Sequence, residues 1–304
     1  MAQPWQPEIE VTPALAADLI AHQFPSLIPV HVEPFGVGWD NTAFLINKRY
    51  VFRFPHRSIG GELIEPEIAA MPHLAKRLPL RVPDHEFIGR SSEFYPWSFS
   101  GYEIISGRTA CHAHLTTAQR AAIATPLAAF LKGLHAIPPG EAATWGVKPD
   151  SYRRFDVPYR QKNARQRIAY IVEHQLFKEV EKLSDIIESA QADFVSRSDV
   201  LEHGDLYSLH LIVDEDGKLK GVIDWGDIHL GDPASDLMIA YTLLPAEARP
   251  DFFSIYGPVD QVTATMARFL AAGHTAALVY FAHLTNNPDL LRESLLSLNH
   301  VVHL

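Results

Sequence analysis

Apolar residues recur along this chain with two different periods, and the switch between them divides it. Over residues 11–24 the spacing of Leu15, Leu19 and Ile20 is helical, with Thr12 placed to cap and Pro13 at a first-turn position. The next stretch, HVEPFGVGWDNTAFLINKRYVFRFPHR, reads as strand, glycine turn, strand, a short turn at Asn47-Lys48-Arg49, and strand. Helical spacing returns in GGELIEPEIAAMPHLAKRLPL, where Glu67, Met71 and Leu74 stack before Leu78-Pro79. An antiparallel pair follows around residues 86–89 and 98–105. Beyond Gly107 the pattern is mainly helical. Ala122, Leu127, Phe130, Leu131 and Leu134 share one broad face, and His135 at its end reads as a helix C-terminal cation. Residues 151–200 read as two amphipathic helices with solvated outer faces, and the apolar segment after Asp236 as further helix. The pattern predicts an α+β protein, with a small antiparallel-sheet lobe over residues 1–105 and a larger, mainly helical lobe over 106–304.

The interruption at residues 201–237, LEHGDLYSLHLIVDEDGKLKGVIDWGDIHLGDPASDL, carries the chemistry. Asp205 follows His203-Gly204, and His210 opens a short apolar strand, Leu211-Ile212-Val213. Asp214-Glu215-Asp216-Gly217 is turn-like, and the return strand ends at Asp224, so a hairpin brings Asp205, His210 and Asp224 together. Moving a γ-phosphoryl group to a hydroxyl needs a base at the acceptor oxygen and a divalent metal on the phosphates. Asp205 suits the first role and Asp224 the second, since Mg²⁺ prefers carboxylate and phosphate oxygen. His-Gly-Asp alone is a short string, and such Asp and Gly pairs are most often turns. The full constellation is far more specific.

That constellation resembles the aminoglycoside phosphotransferase family, small-molecule kinases related to the eukaryotic-type protein kinases, whose pattern is HGDxHxxN followed by IDW or IDF. His203, Gly204 and Asp205 match its opening, Asp224-Trp225 its metal-binding Asp and neighbour, and Gly231-Asp232-Pro233 with Asp236 a downstream structural segment. Tyr207 stands where the family usually has His and His210 where it usually has Asn, an HGDxxxxH ending similar to that of macrolide phosphotransferases. Imidazole is a poorer Mg²⁺ ligand than an amide oxygen. His210 is therefore expected on the metal side, through water, by hydrogen bonding a phosphate, or with a softer ion.

The resemblance implies a bilobal protein-kinase-like fold with ATP or GTP and Mg²⁺ between the lobes. Arg53, the cation on the third strand in YVFRFP, would pair with the nucleotide phosphates and with a carboxylate on the next helix. Glu67 is the chosen partner. Glu62 and Glu65 are rivals, because Pro66 read as a first-turn residue leaves the register open. Gly36 and Gly38 would let backbone N–H groups approach phosphate, although a hairpin turn explains a lone GxG equally well. The backbone of Glu103 and Ile105 would bind the purine, with Tyr102 behind it.

Composition narrows the function classes. With 304 residues, 47% hydrophobic and 20% charged, the chain buries a substantial core. No secretory leader or bilayer-length apolar run stands out, so a cytoplasmic enzyme without a membrane partner is expected. The single cysteine, Cys111, excludes an internal disulfide or cysteine-based zinc cluster. A formal net charge of −10 argues against nucleic acid and for a cationic small substrate. No dense acidic run is available to clamp a polycation, which tilts the acceptor toward a bulky, partly apolar molecule such as a macrolide. The expected activity is phosphorylation of a small-molecule hydroxyl, on a macrolide or aminoglycoside antibiotic. The alternatives are a metabolite kinase acting on homoserine, a choline-like amino alcohol or a sugar, and a nucleotide-binding pseudokinase. No Gly-x-Ser-x-Gly elbow or His-Glu-x-x-His zinc motif is present.

Overall fold

A computed structural model describes residues 7–303, which form two compact units. The first runs through residue 77 and resumes over 81–105; the second takes in 78–80 and 106–304. Among the described residues no helix is long and apolar enough to cross a membrane.

In the first unit α1 (Pro13–Gln23) starts where Thr12 accepts a hydrogen bond from the N–H of Leu15. Strands β1 (Val32–Val37), β2 (Asn41–Ile46) and β3 (Tyr50–Pro55) form an antiparallel meander. Asn47 and Lys48, with φ of 51° and 55°, turn β2 into β3. After α2 (Ser58–Leu74) come β4 (His85–Gly89) and β5 (Phe99–Glu103), giving the sheet order β1-β2-β3-β5-β4. Strand alternation sends Phe52 and Phe54 into an aromatic core with Phe44, Phe99, Ala16 and Ile20. Arg53 therefore leaves β3 on the opposite face. The expectation that Pro66 opens α2 fails: the helix begins eight residues earlier, at Ser58. Pro66 deprives only the carbonyl of Glu62, an exposed position where water can take its place.

The second unit comprises β6 (Arg108–Thr109), α3 (Thr117–His135), α4 (Pro139–Thr144), α5 (Val157–Glu173), α6 (Val180–Glu188), β7 (Val200–Glu202), β8 (Leu211–Val213), β9 (Leu219–Val222), β10 (His229–Gly231), α7 (Ala234–Thr242), α8 (Arg249–Tyr256), α9 (Gln261–Leu284) and α10 (Pro288–Val302). α3 begins with a reciprocal cap between Thr116 and Gln119. β8 and β9 pair antiparallel, with Leu211 opposite Val222, and β10 pairs with β7. Asp214 shapes the hairpin turn by accepting from the N–H groups of Asp216 and Lys218. α7, α9 and α10 pack together, and α5 lies on α9. Every residue of α7 is buried, which accounts for the apolar run after Asp236.

Candidate active site

The hairpin gathers Asp205, His210 and Asp224. His210 Nδ1 lies 2.6 Å from the carbonyl oxygen of Asp205, an acceptor only, so Nδ1 carries a proton and donates it. In the neutral imidazole the Nε2 lone pair then faces Asp224 Oδ2 across 3.4 Å. A proton on Nε2 or a cation held by both groups satisfies this contact. The Asp224 carboxylate fits Mg²⁺, with the remaining coordination coming from phosphate oxygens and water, and His210 Nε2 suits a hydrogen bond to such a water better than direct ligation. Among the described residues no three His, Cys, Asp or Glu side chains form a fuller cage. Asp224 sits at φ 66°, a left-handed backbone that Asp tolerates better than most residues.

The sequence HGD is itself a latch. His203 Nε2 donates to the carbonyl of Ile223 at 3.0 Å, leaving Nδ1 to accept from the N–H of Asp205 at 3.3 Å. One buried ring thereby ties the residue before Asp224 to the amide of Asp205. Burial depresses its pKa, consistent with a neutral imidazole, although Asp236 works in the opposite direction. Gly204 has φ +84°, and a Cβ there would lie 2.4 Å from the carbonyl oxygen of Asp227. Only glycine fits. Asp236 closes the latch, accepting from the N–H groups of His203 and Gly204 at 2.8 and 3.0 Å.

Burial raises the Asp205 carboxyl to about 6, His210 opposing and Asp227 and Asp224 adding to the rise. Asp236 moves the other way, to about 2. Its burial favours the neutral acid, but the hydrogen bond and charge of His135 and the Gly204 N–H outweigh it. A carboxylate depressed on folding contributes stability that is complete above its unfolded value near 4 and is lost as pH falls through about 2. At about 1.4 kcal/mol per unit, that is on the order of 2 kcal/mol at neutral pH. Asp236→Asn is expected to lose about this much in denaturant titrations at pH 7 and to flatten the acid limb between about pH 4 and 2. An unchanged limb in the variant would count against the assignment.

Several residues at the site carried no recognised signal in the sequence. Arg154, in a stretch read as solvated helix, donates from Nε to the carbonyl of Gly204 at 3.2 Å and pairs with Asp150 and Asp227 at 2.5 and 2.7 Å. Glu202 and His229 are buried against each other, Oε2 to Nε2 at 2.8 Å. Because His229 Nδ1 donates to the carbonyl of Asp227, that 2.8 Å gap also needs a proton. Burial raises Glu202 well above the usual carboxylate range and lowers His229, so the proton belongs on the carboxyl. His135 ends α3, as the sequence suggests, but faces inward. Its side chain is buried, Nε2 3.3 Å from Asp236 and Nδ1 2.8 Å from the Tyr256 hydroxyl.

The nucleotide residues designated from the sequence lie in the first unit. Arg53 Nη1 and Glu67 Oε1 are 2.5 Å apart and both side chains are buried, whereas Glu62 and Glu65 are exposed. Gly36 lies on an exposed strand, where a Cβ would meet nothing within 4 Å, and the N–H of Gly38 bonds the carbonyl of Asn41. Neither glycine has a left-handed backbone. Tyr102 is buried edge-on to His85, Glu103 pairs with Arg49 at 3.1 Å, and Ile105 is buried.

Residues 31–277 match the model of a phosphotransferase enzyme family. A solved aminoglycoside 2″-phosphotransferase, in complex with GDP and kanamycin, superposes with a TM-score of 0.70 at 22% identity, covering 94% of this chain and 97% of that one. A macrolide 2′-phosphotransferase of Brachybacterium faecium, solved as the apoenzyme, gives 0.59 at 21% identity over 94% and 97%. At these identities the likeness is one of fold, and it is the kinase-like fold. The uncharacterized protein YcbJ of Bacillus subtilis (strain 168) is 37% identical over 43 residues, a match that spans 14% of each chain.

Proposed function

The chain belongs to the phosphotransferase enzyme family, and on that premise we propose that it transfers the γ-phosphate of ATP or GTP to a hydroxyl of a small molecule. The observation that carries this reading is His210, held between Asp205 and Asp224. Asp205 accepts the acceptor's hydroxyl proton as the new O–P bond forms. The rise of its pKa to about 6 brings it nearer the range useful to a base at neutral pH. Mg²⁺, when bound, neutralises charge developing on the phosphates. Asp224 is the donor that would hold it, with the Nε2 lone pair of His210 accepting from a water on the metal, an HGDxxxxH arrangement suited to that role. Arg53, fixed by Glu67, is assigned to the donor phosphates, Gly36 and Gly38 to their approach, and Tyr102, Glu103 and Ile105 to the purine. For the acceptor, the likeness to antibiotic phosphotransferases makes macrolides and aminoglycosides the first classes to assay.

Purified protein is to be incubated with Mg²⁺, each nucleotide in turn, and a panel of antibiotics and hydroxylated metabolites, with nucleotide consumption as the readout. Binding alone has its own signature. At a hundredfold excess over Kd, nucleotide is expected to add about 2.7 kcal/mol of stability, a rise in Tm of several degrees. Thermal stabilisation with no turnover on any acceptor would point to a pseudokinase. The absence of both stabilisation and turnover would overturn the proposal.

A further inference from the structure

A base takes a proton only from a hydroxyl within hydrogen-bond reach, so the groups packed beside Asp205 also meet its acceptor. Against the loop that carries Asp205, the segment leading into α5 collects arginines. Arg154 reaches the carbonyl of Gly204, with its charge answered by Asp150 and Asp227. Arg160 donates to the carbonyls of Arg153 and Tyr152 at 3.1 and 3.0 Å, which places its guanidinium against the same turn as Arg154. Two helical turns further along α5, Arg167 lies on the same face and is half-buried. α9, packed on α5, brings His274 to a ring separation of 5.2 Å from Tyr207, which stands 4.4 Å from the His210 ring.

Three features of this group are costly for a protein with nothing to bind there. Arg153, Arg154 and Arg165 on the same segment each have a carboxylate partner, whereas among the described residues none lies within ion-pair distance of Arg160 or Arg167. Burial lowers the pKa of both guanidinium groups, and the charges of Arg154 and Arg167 lower Arg160 further, with Tyr159 and Asp150 opposing. His274 Nε2 is buried without a hydrogen-bond partner among the described residues, and burial, with the charges of His210, Arg160 and Arg167, lowers its pKa to about 4, which keeps the ring neutral. Like charges drawn together and partly desolvated are stabilised by an anion. The net charge of −10 does not decide the matter, because exposed charges more than about 10 Å away are screened by salt.

We propose that the acceptor carries a carboxylate or phosphate beside its reactive hydroxyl, and that Arg160 and Arg167 of α5 hold this anion while Asp205 meets the hydroxyl. The inference rests on the phosphotransferase reading above and narrows its acceptor to an anionic class. Tyr152 and Tyr159 flank the same segment, with Arg154 and Arg153 over their rings.

The test has two arms. In the first, inorganic phosphate and acetate are titrated separately, at constant ionic strength, into protein saturated with Mg²⁺ and a non-hydrolysable nucleotide, and stabilisation is followed by thermal shift. Saturable stabilisation by either ion is expected, with affinity falling about tenfold or more in Arg167→Gln, the loss of one charge-assisted contact. The preferred ion identifies carboxylate or phosphate. Arg167 donates no hydrogen bond to the backbone among the described residues, so its variant is expected to fold, and Arg160→Lys gives a conservative companion. No stabilisation, or the same affinity in both variants, overturns the inference. In the second arm, the acceptor panel is sorted by charge. Anionic hydroxyl compounds are expected to be turned over, with KM raised in Arg167→Gln more than kcat is lowered. Preferential phosphorylation of kanamycin or an uncharged compound overturns the anionic acceptor and leaves the phosphotransferase standing. Loss of the nucleotide-induced thermal shift itself, by contrast, marks failure of the phosphotransferase reading.

Discussion

Replacing Asp205 by Asn is expected to lower kcat by about 10²- to 10⁴-fold, the usual worth of a general base. Nucleotide-induced stabilisation should remain. The reason lies in how the loop is anchored. Its backbone hangs on Asp236 through the N–H groups of His203 and Gly204, and the His203 ring receives the N–H of residue 205, so none of these bonds uses the Asp205 carboxylate. An isosteric amide therefore keeps the loop in place while removing the proton acceptor. Loss confined to the transition state lowers kcat and kcat/KM together and leaves KM nearly unchanged. The wild-type pH profile supplies a second check. With the carboxyl raised to about 6, the base is protonated below that pH, and kcat/KM is expected to fall about tenfold per unit on the acid side. A bound divalent cation favours the carboxylate and moves this limb lower, so the profile is to be measured at saturating Mg²⁺. Full activity in Asp205→Asn, or an acid limb unaltered by that change, would remove Asp205 from the base's role.

The parts of the site that sequence made legible are those whose partners are close along the chain. Asp205, His210 and Asp224 fall within twenty residues, and the hairpin linking them is written in an apolar triplet, an Asp-Gly turn and a return strand. Arg53 and Glu67 are separated by one turn of chain and one helix, and alternation on β3 with helical spacing on α2 aims them at each other. Pro66 misled only about where the helix begins. What stayed hidden depends on which face of a distant element is turned inward. Arg154 meets Gly204 across 50 positions and Asp227 across 73, and its segment has the polar periodicity of an ordinary surface helix. His135 meets Asp236 across 101 positions. Periodicity assigns a residue to a face of its own element, but it carries no information on what that face will meet. Glu202 and His229 show the same limit at short range. Each flanks a recognisable motif, yet only the pairing of β7 with β10 places them opposite each other.

The second large effect concerns stability and lies away from the chemistry. Arg120 on α3 and Glu293 on α10 are both buried and form a two-pronged ion pair, Nη1 to Oε1 at 2.8 Å and Nη2 to Oε2 at 2.6 Å. They join segments 173 residues apart. Removing one member of such a pair leaves the other charge buried without its counter-ion, at a cost of about 3–5 kcal/mol. Glu293→Ala is therefore expected to lower Tm by roughly 10 °C for a unit of this size, and Arg120→Ala by a similar amount. The cost comes from the stranded charge rather than from a large net gain in the intact pair, because both groups gave up hydration to meet. Replacing both together, Arg120→Met with Glu293→Leu, should then recover most of the loss seen in either single variant. Chemical denaturation of the two single variants and the double variant measures the coupling directly. Single variants within about 1 kcal/mol of the wild type would show that the pair is hydrated in solution, and a double variant as unstable as the sum of the singles would show that packing, not charge, is what was lost.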